Sequence, residues 1–147
     1  MRISEALDKI ESRPYLAVSA DSTLEEVAEQ ITREKQIRGI YVLDKQGRLE
    51  GYLSVGVLIR AVVISRNQPR FHIRSLLTQL TSEKVADIME TRVVCARKND
   101  PVERVLDFMG DRNIKEIPIV DDDRRIIAIA TILDLWRLVE KGKSKDS

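Results

Sequence analysis

Thr131 and Asp134 are the pair in this chain whose types and spacing suit chemistry. They stand three apart, where the β-rich run Ile126-Ile127-Ala128-Ile129-Ala130 gives way to a helical pattern. On a first helical turn, that spacing sets a hydroxyl and a carboxylate on one face, beside free backbone N–H groups. Those groups and the helix dipole favour an anion such as phosphate. The carboxylate can accept hydrogen bonds from both hydroxyls of a ribose-like diol, a charge-assisted contact stronger than a neutral one. The same two residues also read simply as a threonine N-cap and a first-turn acid.

Ser54 and Val57 repeat the spacing without the acid. Ser54 can still cap a helix and touch a phosphate, but a diol facing Val57 has no charged partner. Leaving a buried hydroxyl unpaired costs about 1–3 kcal/mol. The sequence therefore predicts asymmetry, with one working site per chain. Other chemistry-bearing residues are weaker. Arg60 and Arg137 either reach phosphates or pair with surface acids. Arg70, His72 and Arg74 form a basic stretch that reads as a solvated loop. Cys95 has no neighbour that would activate it. Asp121-Asp122-Asp123 lies in turn chemistry and lacks the alternating ligands and closing Glu of a calcium loop. No paired nucleophile and base, no metal-ligand cluster and no P-loop is visible, so the expectation is a protein that is not an enzyme.

The elements that must position these residues come from a repeat. Leu7, Ile10, Leu16, Leu24 and Val27 map onto Val85, Ile88, Val94, Val102 and Val105 at a shift of 78. After a one-residue deletion, Ile37, Ile40, Val42, Asp44, Arg48, Ser54 and Leu58 map onto Ile114, Ile117, Ile119, Asp121, Arg125, Thr131 and Leu135 at a shift of 77. A period this long points to a duplicated supersecondary unit that cannot bury its own apolar face. Two such units pair around a pseudo-twofold axis, and the grooves between them suit a ligand.

Each half reads as a lead helix followed by strand–helix–strand–strand–helix. In the first half the helix spans 3–11 with Ser4 as its cap, and Tyr15-Leu16-Ala17-Val18 is extended. Asp21-Ser22-Thr23 starts the next helix. Ile40 to Leu43 and Leu49 to Leu53 flank the turn Asp44-Lys45-Gln46-Gly47, and Ser54 caps a helix burying Leu58, Ile59, Val62 and Val63. In the second half, Val93-Val94-Cys95 is the first strand, and Pro101 takes the first position of its helix. Ile117-Pro118-Ile119-Val120 and residues 126–130 flank the turn 121–124. Thr131 caps the last helix, through Leu133, Leu135, Trp136 and Val139. The boundaries expected are 1–64 for the first motif with its lead helix, 65–82 for a connector, 83–140 for the second motif and 141–147 for a polar tail. The fold class is α+β, sandwich-like, with two β-α-β-β-α motifs.

Composition narrows the classes further. The chain has 147 residues, 43% of them apolar, with 25 basic and 24 acidic side chains and a net charge of +1. That balance gives no general attraction to nucleic acid, and 4% aromatic residues leave few platforms for base stacking. No apolar run approaches the length of about 18 residues that marks a membrane span. Acidic residues interrupt any signal peptide at the start, and a single cysteine suits a reducing, cytoplasmic setting.

The two copies resemble the cystathionine-β-synthase (CBS) domain pair, or Bateman module. The second copy carries the motifs Val85-Ala86-Asp87-Ile88-Met89, Ile117-Pro118-Ile119-Val120-Asp121 and Thr131-Ile132-Leu133-Asp134-Leu135. The first copy has Gly39-Ile40-Tyr41-Val42-Leu43-Asp44 without the proline, and Ser54-Val55-Gly56-Val57-Leu58 without the acid. The resemblance implies a regulatory module with no required cofactor. It implies binding of AMP, ADP, ATP or S-adenosylmethionine in the cleft between motifs, and homodimerisation as a disc. It implies an adenine slot built from Val94, Cys95, Ala96, Glu116, Ile117 and Pro118, with first-strand backbone reading the base edge. The family often has glycine where this chain has Ala128, whose methyl group narrows the site. A structural dimerisation module with an empty cleft is the alternative; its contacts would use Leu7, Ile10, Trp136 and Val139.

Overall fold

The structure is a computed structural model and describes residues 1–67 and 83–145. In chain order its elements are α1 (Ile3–Leu7), β1 (Leu16–Val18), α2 (Leu24–Arg33), β2 (Gly39–Leu43), β3 (Leu49–Ser54), α3 (Val55–Arg66), α4 (Val85–Ile88), β4 (Ala96–Arg97), α5 (Val102–Asp111), β5 (Glu116–Val120), β6 (Ile126–Thr131) and α6 (Ile132–Lys145). They form two compact units, Tyr15–Val93 and Met1–Pro14 with Val94–Ser147. The expected α+β architecture is present in both. Arg70, His72 and Arg74, and the helical turns expected near Leu76, lie outside the described residues.

In the unit Tyr15–Val93, β1 pairs parallel to β2, and β2 pairs antiparallel to β3. The turn signal before α2 is a capping box. Thr23 Oγ1 accepts from the Glu26 N–H at 3.2 Å, and the Glu26 carboxylate accepts from the Thr23 N–H at 3.4 Å. Val27 of α2, Leu58 and Val62 of α3, Ile40 and Val42 of β2 and Val85 of α4 share one core. Ile59 and Val63, expected to be buried on α3, are half exposed. A helix apolar nearly all round has more such residues than one core can cover.

The other unit repeats the plan. Its sheet runs β4-β5-β6, with β4 parallel to β5 and β5 antiparallel to β6. Ile3 and Ala6 of α1, Val102 and Met109 of α5, Ile117 and Ile119 of β5 and Leu135 of α6 fill its core. Leu7, Ile10 and Val139, three of the four residues expected at a dimer surface, are half-buried and pack against that core. Trp136 remains 47% exposed.

Several local expectations are corrected. Helix α1 stops at Leu7, and its N-cap is Arg2 with no side-chain bond, so Ser4 lies inside the helix. Pro101 is the N-cap of α5 at ψ 134°, one position before the first helical residue. The first strand of the second half is Ala96–Arg97 rather than residues 93–95.

The lead helices are also equivalent in a different register. Ile3 and Ser4 donate backbone N–H bonds to Asp100 and Lys98, as Val85 and Ala86 do to Ser22 and Ala20. Ile3 is thus the counterpart of Val85, both fully buried, where the sequence pattern aligned Leu7. Residues four apart lie on one helix face, so a slip of one turn preserves the apolar pattern.

Candidate functional site

Thr131 ends β6 and opens α6, and its position across the ladder from Glu116 fixes it against the sheet. Thr131 Oγ1 accepts from the Asp134 N–H at 3.1 Å, while Asp134 Oδ2 accepts from the Thr131 N–H at 3.1 Å. This reciprocal cap locks both side chains on the first turn of α6, the shared face that their spacing predicts.

Asp134 has a further partner that the sequence did not reveal. Arg13 donates from Nη2 to Oδ1 at 2.8 Å and from Nε to Oδ2 at 3.2 Å, a two-pronged ion pair. The Arg13 side chain is 48% exposed and that of Asp134 only 12%. Burial pushes the Asp134 carboxyl up. The guanidinium and the two bonds from Thr131 outweigh that, so the group titrates below its ordinary value of 3.8. The Arg13 segment is held by β6: its N–H donates to the Ile129 carbonyl at 3.0 Å, and Ser12 Oγ accepts from the Ile129 N–H at 3.0 Å. With 121 residues separating Arg13 from Asp134, no local pattern could have announced the contact.

The residues expected to receive a base lie in this same unit. Val94, Cys95 and Glu116 are half-buried, and Ala96, Ile117 and Pro118 are buried. Ala96 pairs with Ile119 in the ladder, and the pairing ends there, leaving Val94 and Cys95 outside it. The physical cause is Pro118. Its cross-strand neighbour Ile129 spends its N–H and C=O on Ser12 and Arg13. The Pro118 backbone therefore faces β4, where a proline has no N–H to give. Ala128 is buried, opposite Ile119 across the ladder.

Ser54 belongs to the other unit. Its Oγ accepts from the Val57 N–H at 3.2 Å, capping α3, and Val57 is 48% exposed with no charge to return the bond. Asp121 acts as the turn acceptor, taking the N–H groups of Asp123 and Arg125 at 2.9 Å each. Cys95 is a free thiol. Among the described residues, no helix is long and apolar enough to cross a membrane.

Two three-stranded α+β units with capped strand-to-helix junctions define the class, and the comparisons agree. The family description of the CBS domain matches residues 3–64 and 85–135, and the chain belongs to that family. It is similar to the magnesium transporter MgtE of Thermus thermophilus, 32% identical over 136 residues. That match covers 90% of this chain and 26% of the transporter, so the chain spans about a quarter of that relative. Among solved structures, it resembles the CBS domain pair of protein MJ0100 in complex with 5′-methylthioadenosine and S-adenosyl-L-methionine. The TM-score there is 0.65 at 22% identity, covering 97% of this chain and 98% of that one. It also resembles the cytosolic domain of the Mg2+ channel MgtE in complex with ATP. That match has a TM-score of 0.66 at 30% identity, covering 91% of this chain and 52% of that one.

Proposed function

We propose that this chain is a regulatory module that binds an adenosine-containing ligand (AMP, ADP, ATP or S-adenosylmethionine), with Thr131 and Asp134 at the heart of its site. The observation carrying this reading is the reciprocal lock between them, which presents an ionised carboxylate at the first turn of α6. A ribose diol would take that carboxylate, and a phosphate the Thr131 end of the helix. Val94 and Cys95, left outside the ladder by Pro118, would offer backbone groups to the base. The complexes of the similar proteins with ATP and with S-adenosyl-L-methionine support the ligand class. The chain does no chemistry on this ligand in our reading; it reports occupancy to whatever protein it controls.

The test is thermal unfolding of the full chain with adenosine, AMP, ADP, ATP and S-adenosylmethionine. At a hundredfold excess over its Kd, a ligand that binds only the folded state adds about 2.7 kcal/mol of stability. No shift with any of the five would remove the reading.

A second reading, assembly of copies of this chain, is favoured by a specific observation. Ile59, Val63 and Ile64 on α3 and Leu133 and Trp136 on α6 are all about half exposed. Apolar faces of this kind commonly mark protein contacts. We infer a homodimer built on these helices, and light scattering of the chain at micromolar concentration tests it; a monomer throughout would contradict it.

A further inference from the structure

The carboxylate that a ribose would need is already occupied. Arg13 grips both oxygens of Asp134 at 2.8 and 3.2 Å, filling the side of the group that Thr131 leaves open. A diol and a guanidinium cannot both hold those oxygens. We propose that Arg13 is the specificity-determining residue of this site, an internal cation that a ligand must displace from Asp134. The proposal rests on the reading of the site given above.

Three observations support a latch rather than a fixed brace. First, the pair is asymmetric in burial. Asp134 is nearly covered, while the Arg13 side chain is half exposed, so solvent already reaches the guanidinium. Second, the segment carrying Arg13 is anchored through backbone and hydroxyl groups, by the Arg13 N–H on Ile129 O and by Ser12 Oγ on Ile129 N. The guanidinium can leave without undoing that attachment. Third, the other unit holds neither member of the pair. Glu90 donates its N–H to the Tyr52 carbonyl at 2.8 Å, the place that Arg13 takes beside Ile129, and Val57 stands where Asp134 does. A strut required by the fold would be expected at both junctions. Here the arginine occurs only with the acid.

Displacement has a consequence for charge. A neutral diol that replaces Arg13 satisfies Asp134 but strands a guanidinium beside it. A ligand that also carries phosphate gives that cation a new two-pronged partner, near the N-terminus of α6. The latch thus penalises adenosine and spares AMP. The loss of affinity is the reciprocal of the fraction of time the carboxylate is open. For a partly exposed ion pair, that corresponds to about a fivefold loss of affinity.

The experiment compares adenosine and AMP by calorimetry on the full chain, wild type and Arg13→Gln. Arg13→Gln should bind adenosine about fivefold more tightly, and the preference for AMP over adenosine should fall about tenfold or more. Unchanged adenosine affinity, or an unchanged preference, overturns the latch while leaving the site reading intact. If neither protein binds either compound, the latch is overturned; the site reading falls as well only if ADP, ATP and S-adenosylmethionine also fail to bind. A second measurement needs no variant. The Arg13 Nε–H resonance of the wild-type chain should move when AMP saturates the site, because its carboxylate partner changes. A resonance that stays in place at saturation also overturns the proposal.

Discussion

Pro118 stands at the position in β5 that Tyr41 holds in β2, and the parallel ladder of each sheet ends according to which of the two is present. Leu16, Ala17 and Val18 all pair with β2, whereas only Ala96 and Arg97 pair with β5. A backbone N–H at Tyr41 continues the ladder, and its absence at Pro118 stops it. Tyr41 is also fully buried, with Tyr15 edge-on at 5.7 Å and Tyr52 at 5.3 Å. Tyr41→Pro should therefore cost at least about 3 kcal/mol by urea unfolding, through the lost ladder bond and the emptied ring site. Pro118→Ala should cost within about 1 kcal/mol, by loosening the unfolded chain. Its new residue 118 amide should be protected from hydrogen exchange; rapid exchange there would show that proline is not what ends β4.

The pH dependence follows from Asp134. Its carboxyl titrates below its ordinary value, so its folded form is favoured when ionised. Such a group stabilises the fold above the unfolded-state value and loses that contribution as pH falls through the folded-state value. Stability should drop as pH falls below the ordinary carboxylate value and through the lower folded-state one, and Asp134→Asn should flatten part of that drop. At neutral pH the same variant should cost about 1 kcal/mol, because the cap is weakened and Arg13 loses its partner. Identical acid profiles for the two proteins would place the titration elsewhere.

Ile3 and Leu7 test how the lead helix packs, and they show what was legible in the chain. Strand order, the caps at Thr23 and Thr131 and both hairpin turns follow from local patterns: alternation, capping residues, and acids that bond their own backbone. The register of α1 did not follow. Ile3 and Leu7 are one turn apart and equally apolar, so pattern alone could not choose between them; backbone bonds to residues 98 and 100 decide it. The Arg13–Asp134 contact was hidden for a similar reason, since only tertiary structure joins residues so far apart. With Ile3 fully buried and Leu7 partly so, Ile3→Ala should cost about 2–4 kcal/mol and Leu7→Ala about 1 kcal/mol. The reverse order in chemical denaturation would restore the register in which Leu7 matches Val85.

The two hairpin turns solve one backbone problem with different residues. Gly47 has φ 80° and Arg124, its counterpart, φ 63°. An L-residue in that region pays about 1–2 kcal/mol that glycine avoids. Gly47→Ala should then destabilise by about 1 kcal/mol. Arg124→Gly should stabilise by up to about 1 kcal/mol, less whatever its present side-chain interaction contributes. A loss of stability in Arg124→Gly would mean that this interaction exceeds the backbone strain.

Val57 is where the two junctions part, and restoring the acid tests what it does. The Val57 N–H already donates to Ser54 Oγ, as the Asp134 N–H does to Thr131 Oγ1. An acid at this third helical position would return a bond to the Ser54 N–H and complement the dipole of α3. Val57 is half exposed, so its replacement empties no core. Val57→Asp should raise stability by about 0.5–1 kcal/mol, seen as a Tm increase of a few degrees. With Glu90 rather than arginine at the neighbouring place, the new carboxylate would be unlatched. If a diol needs only the capped acid, calorimetry should show a second, weaker adenosine site per chain. If stability rises and the stoichiometry stays at one, the acid is necessary but the surrounding slot is not, in this unit, shaped for a base.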